Sequence, residues 1–319
     1  MEPLLKHRPK LLIVGGGDVA RRTLPHLLGR YRIYALLRDS AQAAFWRTHG
    51  IRPILADLDQ PASLARIAGI ADIVLHFAPP SERGTEDRRT RNLIAALKHA
   101  KSLPQRLIYI STSGVYGDCR GAHVDETRPP RPMTARARRR IDAERQLRRF
   151  GRESGVTVSI LRAPGIYASD RLPLDRLQRG IEALRSEDDV FTNHIHADDL
   201  AMLVCAALRR GRNNRCYNAS DDSGMKMGEY FDLVADSFGL PRAPRISRSE
   251  AEQRLSAVQL SFMSESRRLD NRRIRHELRA QLRYPQVADG IAAAKASQQR
   301  QKAINHGGQG EHSESQGLS

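Results

Sequence analysis

The run KLLIVGGGDVARRTL, residues 10–24, constrains the fold more than any other stretch of this chain. A short β-rich segment ends in glycines, and a helical pattern begins at once. A strand turning this tightly into a helix opens a βαβ unit, with parallel strands and a right-handed crossover. The glycines fit G-x-G-x-x-[G/A] through Gly15, Gly17 and Ala20. Gly15 makes the tight turn, Gly17 lets a pyrophosphate approach the backbone, and small Ala20 lets helix and strand pack closely. Asp18 and Val19 open the helix, whose free N–H groups and partial positive charge suit a phosphate.

The same rhythm continues along the chain. Apolar runs at 11–15, 32–38, 52–56, 71–77, 106–111 and 156–162 alternate with helical patterns near 18–29, 41–49, 61–68, 85–101 and 134–154. Nearly continuous apolar strands separated by helices predict an α/β chain. Its doubly wound parallel sheet is covered on both faces, as an NAD(P)-binding Rossmann fold. After Pro164 the rhythm changes. A helix is expected over 172–185, another opened by Asp198 or Asp199 as cap, a strand at RCYNAS, and helices near 228–238, 249–256 and 271–281. This divides the chain into a dinucleotide-binding domain over 1–163, with 192–220 returning to it, and a smaller C-terminal substrate lobe over 164–290. A polar tail over 291–319 completes it; from about residue 296 it has almost nothing to bury, which predicts disorder.

Net charge is +17, which invites a nucleic-acid partner. Only 7 of the 53 basic residues are lysines, however, and the arginines scatter along the whole length. Distribution rather than total makes a binding footprint, and aromatics at 5% are too few for a base-stacking platform. Nucleic acid is therefore not the expected partner. No apolar span of membrane length occurs, and MEPLLKHRPK lacks the apolar run of a signal peptide, so a cytoplasmic protein without membrane attachment is expected. Cys119, Cys205 and Cys216 show no CxxC spacing and no disulfide framework, which fits a reducing compartment. His194 and His196, followed by Asp198 and Asp199, alternate as ligands on a strand would, but no cysteine pair or HExxH accompanies them and no metal is expected.

The end of the second strand selects the cofactor. NAD sites place an acid there to bond the ribose 2′-OH. Here stands Arg38, followed by Asp39 and Ser40. A guanidinium suits a 2′-phosphate and accepts no hydrogen bond. NADP is the expected cofactor, with NAD left open by Asp39. Asp57 and Leu58 follow the third strand, placed to meet the adenine. The segment HFAPP (76–80), which contains Ala78, runs past the cofactor's middle.

At STSGVYG (111–117) the pattern becomes specific. With GGGDVA, ADL (56–58), LRAPGIYAS (161–169), HIHADDLA (194–201), YNASDD (217–222) and SRRLDNRRIRHELRAQLRYP (266–285) in order, residues 10–285 resemble a short-chain dehydrogenase/reductase. The resemblance is to extended or atypical members, in the NAD-dependent epimerase/dehydratase group. It implies that a hydroxyl after the fifth strand, Thr112 with Ser113 beside it, bonds the reacting oxygen. It also implies a Tyr-x-x-x-Lys on the next helix, where tyrosine relays the proton and lysine lowers its pKa and holds the ribose. Aligning Ala143 and Glu144 with the family pattern puts Arg136 at the tyrosine position and Arg140 at the lysine position.

The spacing of one helical turn survives, so both side chains share a face. The chemistry does not, because arginine is protonated at any working pH and Arg136 cannot relay a proton. Arg140 can still bond the cofactor's ribose or phosphates. If a phenol still serves, Tyr116 and Tyr167 are the nearby ones, Tyr116 being the candidate. The other arginines of this helix decorate solvent-facing turns, and Arg267 or Arg268 reaches toward the substrate cleft.

These features imply an NADP-preferring oxidoreductase or epimerase/dehydratase-type enzyme, with an altered site for a carbonyl or nucleotide-sugar-like small molecule. A non-catalytic NADP(H)-binding sensor or scaffold is the alternative, followed by an RNA-binding atypical member. Family members commonly pair as homodimers through the helices after the fourth and fifth strands. Seven arginines between residues 132 and 150 argue against a tight apolar dimer there.

Overall fold

In the computed structural model, which describes residues 8–307, seven strands form one sheet. They are β1 (Lys10–Val14), β2 (Arg32–Leu37), β3 (Arg52–Leu55), β4 (Ile73–His76), β5 (Arg106–Thr112), β6 (Thr157–Ala163) and β7 (Arg215–Asn218). Their order in space is β7-β6-β5-β4-β1-β2-β3, and every pairing is parallel. All seven expected strands are present. The chain winds one way from β1 to β3 and the other way from β4 onward, so a crevice opens at the carboxyl ends between β1 and β4.

The helices are α1 (Asp18–Leu27), α2 (Ala43–Thr48), α3 (Arg88–Lys98), α4 (Ala135–Ser154), α5 (Leu174–Gln178), α6 (Ala197–Arg210) and α7 (Met227–Phe238). Alternate side chains of each strand feed opposite faces. Leu11 and Ile13 join Leu24 and Leu27 of α1, Trp46 of α2, and Leu203 and Val204 of α6. Leu12 and Val14 join Leu93 and Leu97 of α3 and Leu147 and Phe150 of α4. Burying both faces this way explains why the central strands β1 and β4 are apolar almost throughout rather than alternating.

The arginine-rich helix α4 is defined by its ends and one narrow apolar stripe. Thr134 Oγ1 accepts from the Ala137 N–H at 3.2 Å as N-cap, and Gly155 stops the helix at φ +70°. Ala137, Ile141, Leu147 and Phe150 are buried, and Glu144 among them is paired with Arg162.

Four expectations change. Residues 61–67 form a 3₁₀ helix. The helix expected over 172–185 ends at Gln178, because Gly180 turns left-handed at φ +74° and Ala183–Leu184 pairs in parallel with Arg245–Ile246. The cap of α6 is His196, whose Nδ1 accepts from the Asp198 N–H at 3.2 Å. Asp199 instead accepts from the backbone N–H groups of Arg283 and Tyr284 at 2.7 and 2.9 Å. The chain over 291–307 is not a structureless tail but the end of a helix, Val287–Gly307, that buries Val287 and Ile291 against Tyr230, Phe231 and Val234 of α7. The rest of the expected tail, 308–319, lies outside the described residues.

Candidate functional site

Beyond β1 to β5 the chain surrounds a cleft of about 470 Å³. Gly15, Gly17, Asp18, Val19, Arg38, Asp57, Leu58, Ala78 and Arg140 all line it. Sequence reasoning singled out each of them, and the fold brings them together.

The glycine turn shapes one wall. Gly15 sits at φ +97°, and a Cβ there would stand 2.7 Å from the Ala78 nitrogen, so the approach of β1 to β4 requires glycine. A Cβ on Gly16 would strike Leu37 at 2.5 Å. One on Gly17 meets nothing within 4 Å among the described residues. The protein's own packing does not demand glycine at 17. The open space above it faces the first turn of α1, where N–H groups lack intrahelical partners.

Asp18 places a carboxylate at that mouth, but not a free one. Arg22 and Arg171 hold it at 2.7 and 3.1 Å, and Arg22 continues to Asp198 at 2.8 Å and Asp170 at 3.0 Å. This network ties α1 to the start of α6 and to the loop before α5. The sequence shows the acids, but the convergence of Asp170, Arg171 and Asp198 on Arg22 and Asp18 is long-range and carries no local signal.

At the far end Arg38 is exposed, while the Asp39 side chain is committed to capping a short turn through the Ala41 N–H at 2.9 Å. Arg89, which the sequence did not single out, lines the cleft too and holds Asp59 at 2.6 Å. That pairing keeps the Asp59 carboxyl below the usual range.

Arg140 reaches the cleft from α4. Its Nη1 donates to the Ile110 carbonyl at 2.9 Å and to the Tyr109 hydroxyl at 3.1 Å. Its remaining N–H groups make no protein hydrogen bond among the described residues. Glu144 fixes the helix that carries it, accepting from Arg162 at 2.7 and 3.0 Å and from the Ser111 hydroxyl at 2.6 Å. Both partners of this ion pair are almost wholly buried, at 1% and 3% exposure, so neither can be lost without stranding a charge.

A second cavity of about 240 Å³ lies beside the first. Three elements line both. Ile110, Arg140 and Ile166 face the cleft, while Thr112, Arg136 and Gly165 face the cavity. Thr112 and Ser113 stand together on its wall, with the Thr112 hydroxyl accepting from the Gly114 N–H at 3.2 Å. Arg267 and Glu265 complete its charged lining, paired at 2.8 Å. Arg268 instead donates to the Gly121 carbonyl at 2.7 Å.

Tyr116 needs correction. It lines neither cavity, is 1% exposed, and its hydroxyl donates to Asn218 Oδ1 at 2.8 Å. Burial pushes its phenol far above the ordinary range, although the Arg162 guanidinium lies over the ring. Tyr167 is likewise buried, its ring edge-on to His196. Among the described residues no tyrosine lines either cavity. Nor do the described residues hold a group of three histidine, cysteine or acidic side chains poised for a metal. No described helix is long and apolar enough to cross a membrane.

A glycine turn opening a helix at the switch point of a parallel sheet defines a dinucleotide-binding fold. The chain belongs to the NAD(P)H-binding family, whose model matches residues 15–210. It is 29% identical over 135 residues to "Protein YeeZ" of Escherichia coli (strain K12), covering 42% of this chain and 47% of that protein. It is 23% identical over 175 residues to dTDP-D-glucose 4,6-dehydratase of Homo sapiens, covering 49% of each. The match thus spans about half the length of these curated relatives.

Among solved structures, a functionally unknown conserved protein from Silicibacter pomeroyi superposes with TM-score 0.75 at 28% identity, covering 91% of this chain and 99% of that one. UDP-glucose 4-epimerase from Thermotoga maritima superposes with TM-score 0.74 at 16% identity, covering 92% and 99%. The resemblance to the epimerase/dehydratase group, inferred from the motifs, is borne out.

Proposed function

We propose that this protein binds NADP(H) in preference to NAD(H) across the β1–β4 crevice and acts as an oxidoreductase or epimerase/dehydratase-type enzyme with an altered active site. The observation that carries this reading is the cleft itself. Gly17 opens onto empty space at the α1 N-terminus, and cations stand at both ends, Arg38 beyond β2 and Arg140 on α4. A pyrophosphate suits the first feature and a 2′-phosphate suits Arg38, while Asp39 Oδ1 accepts from the Ala41 N–H. When bound, the nicotinamide would supply or accept a hydride. Arg140 would hold the ribose or phosphates through donors it does not spend on Ile110. Thr112 and Ser113 would orient a substrate oxygen. Relatives named as a dTDP-D-glucose dehydratase and a UDP-glucose epimerase support a carbonyl or nucleotide-sugar-like substrate class.

One observation favours a second reading, a non-catalytic NADP(H) sensor. No tyrosine lines either cavity among the described residues, which agrees with the motif alignment that puts Arg136 and Arg140 at the relay positions. Calorimetric titration with NADPH, NADP+, NADH and NAD+ tests the cofactor assignment, and saturable binding of NADPH tighter than NADH is expected. Oxidation of NADPH with any member of a carbonyl panel would separate enzyme from sensor. Absence of heat with all four nucleotides would overturn both readings.

A further inference from the structure

We propose that the second cavity admits a small substrate bearing an oxyanion, a carboxylate or a phosphate monoester, and that Arg136 holds that anion. This rests on the cofactor reading above for its reaction, but not for its binding. The first argument is charge. Three ionisable side chains line the cavity, Arg136, Glu265 and Arg267. Glu265 neutralises Arg267 at 2.8 Å, while Arg136 has no carboxylate within reach among the described residues, so the cavity carries one uncompensated positive charge. An unpaired guanidinium lining a concave polar wall selects for a planar or tetrahedral oxyanion, which it binds through parallel N–H groups.

The second argument is preorganisation. The Arg136 guanidinium lies over the Phe262 ring, 4.8 Å from its centroid. This contact biases where the guanidinium sits without consuming its N–H donors. The third is size. At about 240 Å³ the cavity falls below the roughly 300–1,000 Å³ that drug-sized ligands occupy. That volume matches a three- or four-carbon acid or phosphate better than a whole nucleotide sugar. The fourth is position. Arg136 and Arg140 share one helix face, so an anion held by Arg136 lies one turn from the cofactor cleft, in the cavity that Thr112 and Ser113 also line.

The test is calorimetric titration of the full chain, with and without saturating NADPH. The probes are pyruvate, glyceraldehyde 3-phosphate, uncharged glyceraldehyde and UDP-glucose. At least one of the two anions is expected to bind about tenfold or more tighter than glyceraldehyde, the gain of a charge-assisted hydrogen-bonded contact. Which anion wins identifies the source of the oxyanion. Arg136→Gln should abolish that advantage while NADPH binding and the thermal midpoint stay at parent values, since Arg136 is exposed. Arg136→Lys should recover part of it.

Equal affinity for charged and uncharged probes, anion binding untouched by Arg136→Gln, or UDP-glucose binding tighter than both anions would each overturn the inference. Arg136-dependent anion binding in a protein that gives no heat with NADPH would uphold it and sink the cofactor reading instead.

Discussion

Arg136 and Arg140 stand one turn apart on α4 and serve different rooms: Arg140 lines the cleft of the glycine turn, while Arg136 lines the cavity of Thr112 and Ser113. The helix spans the boundary between the two spaces, held by the buried pair of Glu144 and Arg162. Arg140 differs from Arg136 in being anchored, donating to the Ile110 carbonyl at 2.9 Å. Replacement by glutamine should therefore weaken NADPH binding by about tenfold, the value of a hydrogen bond to a charged group. Replacement by lysine should retain most of the affinity. Fluorescence titration with NADPH measures both, and unchanged affinity in Arg140→Gln would remove Arg140 from the cofactor site.

On the proposed reading, Arg38 governs the choice between the two nicotinamide cofactors. It is exposed at the end of β2, with the Asp39 carboxylate turned to the Ala41 N–H. Arg38→Ala is expected to weaken NADPH about 10- to 100-fold and leave NADH nearly untouched, because only the 2′-phosphate uses the guanidinium. A parallel loss for both nucleotides would mean that Arg38 supports the cleft rather than reading the phosphate.

The glycines separate folding from binding. Alanine at Gly15 places Cβ 2.7 Å from the Ala78 nitrogen at φ +97°, so Gly15→Ala should lower stability by about 1–3 kcal/mol. Alanine at Gly17 meets no protein atom within 4 Å, so that variant should keep its urea midpoint and lose nucleotide affinity. If Gly17→Ala bound NADPH as well as the parent, the diphosphate would not lie on the α1 N-terminus.

The parts visible in the sequence are those with local physical signals. The strands were legible because those buried on both faces, β1, β2 and β4 above all, are apolar at nearly every position, and because glycine punctuates their ends. The cleft followed from them, since the residues just after parallel strands gather at one edge. The capping of α6 by His196 was not legible, because aspartates in the first turn suit the helix dipole as well as they suit a cap. Nor was the helix reaching Gly307. Its apolar side is supplied by few residues, Val287 and Ile291, and its partner α7 lies some fifty residues earlier in the chain. Tyr116 misled because a phenol two residues before Asp118 reads the same whether it faces a cavity or Asn218.

Two buried groups give stability opposite dependences on pH. His76 is wholly buried on β4, its Nε2 2.9 Å from the Thr90 hydroxyl, and burial, aided by the Arg140 cation, pushes it down to about 3 from 6.5. Between those values the unfolded chain binds a proton that the folded protein refuses. The stability owed to neutral His76 is therefore complete above pH 6.5 and is lost as the pH falls toward 3.

Asp221 runs the other way. It is 4% exposed, its Oδ2 finds no hydrogen bond among the described residues, and burial pushes its carboxyl from 3.8 up to about 8. Here the folded protein keeps a proton that the unfolded chain gives up. Its contribution is whole below pH 3.8 and disappears as the pH rises through about 8. Asp221→Asn, which cannot ionise, should gain stability over the parent by more at pH 9 than at pH 5, and His76→Gln should flatten the acid limb between pH 6.5 and 4. Urea midpoints at these pH values decide the matter. An offset for Asp221→Asn that is the same at pH 5 and pH 9 would show that the carboxyl is already ionised by pH 5 in the folded protein as in the unfolded chain.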